Sequence, residues 1–531
     1  MKELKLEELT IRQKLGMVMC GICICDDTWP GFEENLAYTV DLIKKHALGA
    51  VWVSPNERNV AKVIPAIKAA ADYPILIITD AESGLKDYLI GRHNMLGCTG
   101  SEEHAYTFGK VTAVTARQMG YNVVCNPVLD MKNGHCTGAG NIRSLGSDKY
   151  KVASLAAAEA RGMHDGGVLT VGKHYPSATH TRQIDSHMAE TASENTVEEL
   201  LDYNLYPWIE LAKQGLLDGI MTGHCRLANI DPDYPASLSK KVIDIIREQG
   251  FDGFAITDCL EMMGVVAKFG STDSKGMAIM AGNDLALSWY NTRNCYEPLC
   301  DCYDKGIITE ERLDEAVRRV LEAQHKTLRE PKFTKITSND LELVENINRD
   351  SVFARTDEGL TTSISREGRH YFAVMVENGT DIADTGKVTV DTFSTNWYDP
   401  KKIMNKLQEL FPNSKAGAID QFPSPAQNVR ILEDSLTYDD VIFITFVEGK
   451  AYSGVEKFTS RIVSLVEALQ VTKRVSTVVH FGSPFVLEAF EDHIPRILIG
   501  GLSPKCVDYT LEILAGLYPA KGVLTYDVKL N

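Results

Sequence analysis

Along the first 330 residues, short apolar runs alternate with segments of helical period. The runs cover residues 15–20, 48–53, 74–79, 121–125, 168–171, 217–222, 253–257 and 284–288. Most are unbroken instead of alternating, the pattern of parallel strands covered on both faces. Eight such strands are what a (β/α)8 barrel needs to close. Between them, 150–164 places Val152, Leu155, Ala156, Ala160 and Met163 on one helical face. Thr309 is placed to cap a helix over 310–323, with Leu313, Val317, Val320 and Leu321 as its apolar stripe. From about residue 341 the rhythm restarts. Strands are predicted over 372–376, 441–446, 476–481 and 496–499, and helices over 458–469 and 507–515. The expected fold is α/β: an N-terminal TIM-like barrel over 1–330, a polar linker over 331–340, and a smaller doubly wound α/β sandwich domain over 341–531.

The polar residues that stop these runs change the picture. Asp80 follows ILIIT, Asn126 follows VVC, Lys173-His174 follow VLTVG, His224 follows IMTG and Asp258 follows GFAIT. In a parallel barrel all these ends share one rim, where active sites are built. One or two polar stops need no function. Five amide-bearing or titratable ends favour a site. The stretch KHYPSATHTRQIDSH, read as a polar loop after the fifth strand, adds His180, Asp185 and His187. A carboxylate such as Asp258 at a strand end can attack an anomeric carbon or cap a helix. Asp185 and His187 are two residues apart and face one way if extended. Imidazole titrates near neutrality, so a His of this kind can give a proton to a leaving oxygen and later take one from water. The adjacent Asp would fix its tautomer.

Composition removes several classes. The chain is 531 residues with 44% hydrophobic and 24% charged positions and a formal net charge of −17. Clustered Lys and Arg that would hold phosphate backbones are lacking, so nucleic acid is not expected. No apolar stretch reaches membrane-spanning length, and no signal-like start precedes KELKLEEL, so a cytoplasmic protein without a membrane partner is expected. Twelve cysteines are scattered; those in apolar runs, such as Cys20 and Cys125, read as small core hydrophobes. Cys23/Cys25 and Cys300/Cys302 lack zinc-site spacing. Gly482 and Gly500-Gly501 end strands without a G-x-G-x-x-G pattern. No metal or cofactor is expected.

Taken together, the segments resemble glycoside hydrolase family 3 in its β-N-acetylglucosaminidase branch. The family's K-H-F-P-G-H-G leading to D-S-H is matched by KHYP leading to Asp185-Ser186-His187. Its S-D-D-L-x-M is matched by Thr257-Asp258-Cys259-Leu260-Glu261-Met262. Gly223-His224 with PASLS, Arg143-Ser144-Leu145-Gly146, NPVLD and AGNDL follow the family's order. Three departures stand out. Ser177-Ala178-Thr179 replaces G-H-G, one extra residue separates KH from DSH, and Asp80-Ala81-Glu82-Ser83-Gly84-Leu85 replaces D-Q-E-G-G-R.

The resemblance implies a retaining, exo-acting β-N-acetylhexosaminidase acting on a small carbohydrate. Asp258 would be the nucleophile, Asp185/His187 the acid/base pair, and Asp80, Arg143, Lys173, His174 and His224 the groups that hold the sugar. A β-N-acetylglucosaminide phosphorylase on the same scaffold, a β-glucosidase or β-xylosidase, and a sugar-binding homologue without turnover are the alternatives. Oligomeric state is not legible.

Overall fold

In the computed structural model, residues 1–23, 31–131, 143–179, 185–288, 291–355, 363–376, 379–382, 388–391, 400–420, 422–447, 458–491, 493–499 and 503–525 are described. His180 and Cys25 lie outside these residues. The described chain packs into two compact units. The first comprises Met1–Tyr88, Glu102–Cys136 and Ser144–Leu341; the second comprises Leu89–Ser101, Thr137–Arg143 and Glu342–Asn531.

The first unit is an eight-stranded parallel sheet curled into a nearly closed barrel. Its strands are β1 (Met19–Cys23), β2 (Ala50–Val53), β3 (Leu76–Thr79), β4 (Val123–Val124), β5 (Leu169–Tyr175), β6 (Gly219–Thr222), β7 (Phe254–Thr257) and β8 (Ala286–Leu287). They pair in the order β7-β6-β5-β4-β3-β2-β1-β8. One isolated parallel bridge, Ile256 to Leu285, joins the two ends. Each strand falls within or across an apolar run, and the unbroken runs divide by the two-residue strand period. Ala50, Leu76, Ile78, Val123, Leu169, Val171 and Ile256 share one cluster inside the barrel. Their neighbours Val51, Val53, Ile77 and Val124 join a second cluster with Ile43, Ile67, Met163 and Val317 from the surrounding helices.

Three local expectations need correction. The first half of the run at 15–20 belongs to helix Ile11–Met17, because Thr10 and Gln13 form a reciprocal capping box. The fifth strand does not stop at Gly172 but runs through Lys173 and His174 to Tyr175. Backbone bonds from Lys173 N to Pro127 O and from Leu129 N to Lys173 O extend its ladder. Residues 331–340 are packed along the barrel. Phe333 N donates to Asp165 O at 3.0 Å, and buried Lys110 bonds both carboxylate oxygens of Asp340 at 2.9 Å. That polar run pairs with charged helix positions, which composition alone does not reveal.

The second unit contains β9 (Phe353–Arg355), β10 (His370–Val376), β11 (Lys415–Asp420), β12 (Asp440–Val447), β13 (Val475–Gly482) and β14 (Arg496–Ile499). The sheet order is β9-β14-β13-β12-β10-β11, with only β9 antiparallel. Its parallel part has the order of a doubly wound sheet. On one face Tyr371, Ala373, Phe443 and Val478 pack against Ile462, Leu465 and Leu469 of helix Ser460–Val471. Thr459 caps that helix by accepting from Ile462 N. No described helix is long and apolar enough to cross a membrane.

Candidate active site

The strand ends on one rim of the barrel bring most of the expected residues into three linked groups. The first is centred on Lys173 in β5, which is 1% exposed. Its ammonium pairs with Asp80, just after β3, and with Glu82 Oε1 at 2.6 Å. A buried ammonium needs such partners, and two carboxylates supply them. Asp80 keeps a side chain 41% exposed while its partner is enclosed, so it sits at the wet edge of the site.

The second group surrounds Asp258, immediately after β7. The Asp258 N–H donates to Thr222 O at 2.9 Å, continuing the β6–β7 ladder past the strand end. Its Oδ1 accepts from Cys259 N at 2.7 Å, and its Oδ2 lies 3.9 Å from His174 Nε2. His174 is oriented from its other side: its N–H and Nδ1 bond the two oxygens of Asp130 at 3.1 and 2.8 Å. Because a carboxylate accepts, Nδ1 carries the proton. Burial pushes the Asp258 carboxyl up, but the imidazoles of His174 and His224, the Cys259 amide and His187 outweigh it. The group is held below the usual carboxylate range. An ionised carboxylate is the form that attacks carbon.

The third group is the expected pair. Asp185 is 6% exposed, and its Oδ1 accepts both the His187 N–H at 3.0 Å and Nδ1 at 2.7 Å. The carboxylate accepts, so Nδ1 carries the proton and Nε2 is left to face away from Asp185. The side chain of His187 remains 22% exposed.

Two strand-end residues are spent inside the protein. His224, 2% exposed, has Nε2 2.8 Å from Cys259 O and Nδ1 2.8 Å from Ser237 Oγ. The carbonyl must accept, so Nε2–H donates to it and the serine hydroxyl donates to Nδ1. Burial pushes the His224 pKa down, and the nearby Asp258 carboxylate opposes it. Its contact is with the backbone beside Asp258, so it shapes the loop that carries the carboxylate. Asn126 likewise gives Nδ2 to buried Glu159 at 2.9 Å. Arg143 packs with the second unit, where its carbonyl accepts from His93 Nδ1 at 3.0 Å.

Rival carboxylates have structural partners. Glu261 pairs with Lys275 at 2.9 Å and accepts from Ser288 Oγ at 2.7 Å; the side chains of Glu261 and Lys275 are 4% and 1% exposed. Asp130 is the residue that strand-end reasoning passed over. It stands at the end of NPVLD, four residues after Asn126, and the signal available was a carboxylate on the rim already crowded with polar ends.

Residues 8–323 match the glycosyl hydrolase family 3 N terminal domain. A beta-N-acetylglucosaminidase/beta-glucosidase of Cellulomonas fimi is 26% identical over 337 residues, spanning 60% of this chain and 57% of that protein. A beta-hexosaminidase of Haemophilus influenzae is 30% identical over 245 residues, 44% of this chain and 68% of the relative. A glycoside hydrolase family 3 beta-N-acetylglucosaminidase structure from Paenibacillus sp. str. FPU-7 aligns with a TM-score of 0.80 at 24% identity, covering 98% of this chain and 100% of that one. Beta-glucoside phosphorylase BglX bound to 2FGlc aligns at 0.79 with 21% identity, covering 99% and 95%. With its barrel matched from residue 8 to 323, this chain belongs to glycosyl hydrolase family 3, and it is a glycoside hydrolase.

Proposed function

We propose that the chain is a retaining, exo-acting β-N-acetylhexosaminidase that works through a covalent glycosyl–Asp258 intermediate. The observation that carries this reading is the Asp185–His187 pair, joined at 2.7 Å through Nδ1. It supplies a proton donor where the chemistry needs one, beside a carboxylate held ionised. In the first step Asp258 attacks the anomeric carbon as the glycosidic bond breaks, and His187 Nε2–H protonates the departing oxygen. In the second, His187 takes a proton from water, which displaces Asp258 and releases the sugar with its configuration retained. Asp185 steadies the imidazolium that donates in the first step and is re-formed in the second. Lys173, Asp80 and His174 are assigned to the sugar hydroxyls, where charge-assisted hydrogen bonds suit. The names of the Cellulomonas and Haemophilus relatives support the N-acetyl sugar.

A second reading, phosphorolysis of the same substrate, rests on the acid/base being an imidazole. In its deprotonated state it is neutral and repels an incoming phosphate less than a carboxylate would. One experiment separates the two. Aryl β-N-acetylglucosaminides, β-glucosides and β-xylosides are incubated with and without phosphate, and the sugar product is identified. The proposal expects free N-acetylglucosamine in both conditions. Sugar 1-phosphate as the main product would establish phosphorolysis, and turnover confined to the glucoside or xyloside would overturn the substrate assignment.

A further inference from the structure

We propose that Gly264 is a positioning residue for the acid/base turn: its N–H and that of Met263 latch residues 185–189 to the segment that carries Asp258, and its missing Cβ lets the turn close. The inference rests on His187 being the acid/base.

The turn has an internal frame and an external anchor. Internally, the Asp185 carbonyl accepts from Met188 N at 2.9 Å and Ala189 N at 3.1 Å, while its carboxylate holds His187. None of these bonds says where the turn sits relative to Asp258. The anchor does. Gly264 N donates to Ser186 O at 3.1 Å, and Met263 N donates to His187 O at 3.3 Å. Both donors open helix Met263–Phe269, where the first N–H groups have no partner within the helix. They stand only five and six residues after Asp258. A single loop thus holds the nucleophile at one end and the backbone flanking the proton donor at the other.

The approach is close. A Cβ at Gly264 would lie 3.0 Å from Ser186 O and 3.2 Å from Ala189 O, both backbone atoms on either side of His187. Alanine there displaces the turn by a few tenths of an ångström. Errors of roughly 1 Å in a reacting geometry cost about 100-fold in rate, so a smaller shift costs part of that. The loss falls on proton donation, because Asp258 is held separately by Thr222 and Cys259.

Three variants test the latch beside His187→Ala. Gly264→Ala adds the Cβ. Met263→Pro deletes the N–H that reaches His187 O; proline is tolerated at the first helical position, and Met262 already has the extended conformation that precedes proline (φ −63°, ψ 141°). Met263→Ala keeps that N–H and trims a half-exposed side chain. The readout is kcat/KM on aryl β-N-acetylglucosaminides whose leaving groups run from nitrophenolate to poor. His187→Ala should depend steeply on leaving group. Gly264→Ala and Met263→Pro should lose about tenfold or more on poor leaving groups and less than about threefold on nitrophenolate, a fraction of what general acid catalysis supplies. Met263→Ala should match the wild type. Equal losses on every substrate, or none, in both latch variants overturn the proposal while leaving His187 in place. A Met263→Ala profile equal to that of Met263→Pro overturns it too, since the side chain and not the amide would then matter. If His187→Ala itself shows no leaving-group dependence, the acid/base reading and the latch fall together. Should Gly264→Ala fail to fold, Met263→Pro decides alone.

Discussion

At the scale of single residues, the site depends on carboxylates and imidazoles correcting one another. Burial alone would push the Asp258 carboxyl up; His174 is the largest of the influences that reverse this. A carboxylate with a depressed pKa is ionised at every pH above that value, so the acid limb of kcat/KM should lie below the ordinary carboxylate range. His174→Asn removes the imidazole but leaves the Asp258 carboxylate, and the limb should then move to higher pH. A limb that stays in place while the rate falls would show that His174 serves the sugar and not the carboxylate. Asp258, Asp185, His187, Lys173 and His174 were all legible as polar residues at strand ends or in DSH. Their partners were not. Asp130 and Glu82 meet His174 and Lys173 only after the barrel curls, since hydrogen-bond pairing across 44 or 91 residues leaves no spacing signal in the sequence.

At the scale of elements, strand positions were legible because continuous apolar runs mark them, and strand ends were less so. The apolar run ends at Gly172, whereas the strand runs on through Lys173 to Tyr175, with His174 at a register shift and its N–H turned to Asp130. The segment after β7 shows how polar residues hold an element in shape. Glu261 and Lys275 form a buried pair a few residues beyond Asp258, and the Ser288 hydroxyl and Cys259 thiol also donate to the carboxylate. Breaking a buried pair from one side leaves an uncompensated charge. Lys275→Met should therefore lower stability by about 3–5 kcal/mol in urea unfolding. The double variant Lys275→Met/Glu261→Gln should recover most of that loss. If the single variant costs less than about 1 kcal/mol, the pair is no more than a surface bridge in energy.

At the scale of the molecule, Leu89–Ser101 leaves the barrel chain between β3 and β4 and packs with the second unit. Val523 N donates to Cys98 O at 2.8 Å, Cys506 Sγ lies 4.0 Å from Met95 Sδ, and Asn348 Nδ2 reaches Leu89 O at 3.4 Å. Ile90, Met95, Leu96 and Cys98 are buried there. A chain ending at residue 341 strips these residues of their packing, and it should bind a hydrophobic dye and aggregate where the full chain does not. A truncated protein that stays monomeric and dye-free would show that the excursion finds other cover. No apolar pattern announced this exchange, because a buried residue looks the same whichever core receives it. The excursion also bears on synthesis. A ribosome emits the chain from its N-terminus, and domains generally fold as they emerge. Here the barrel's third and fourth strands are joined through a segment whose partners, Asn348, Cys506 and Val523, are translated some 250 to 430 residues later. The nascent barrel therefore carries an unshielded apolar segment until Asn348, Cys506 and Val523 have been made, which sets the folding of this segment late in synthesis.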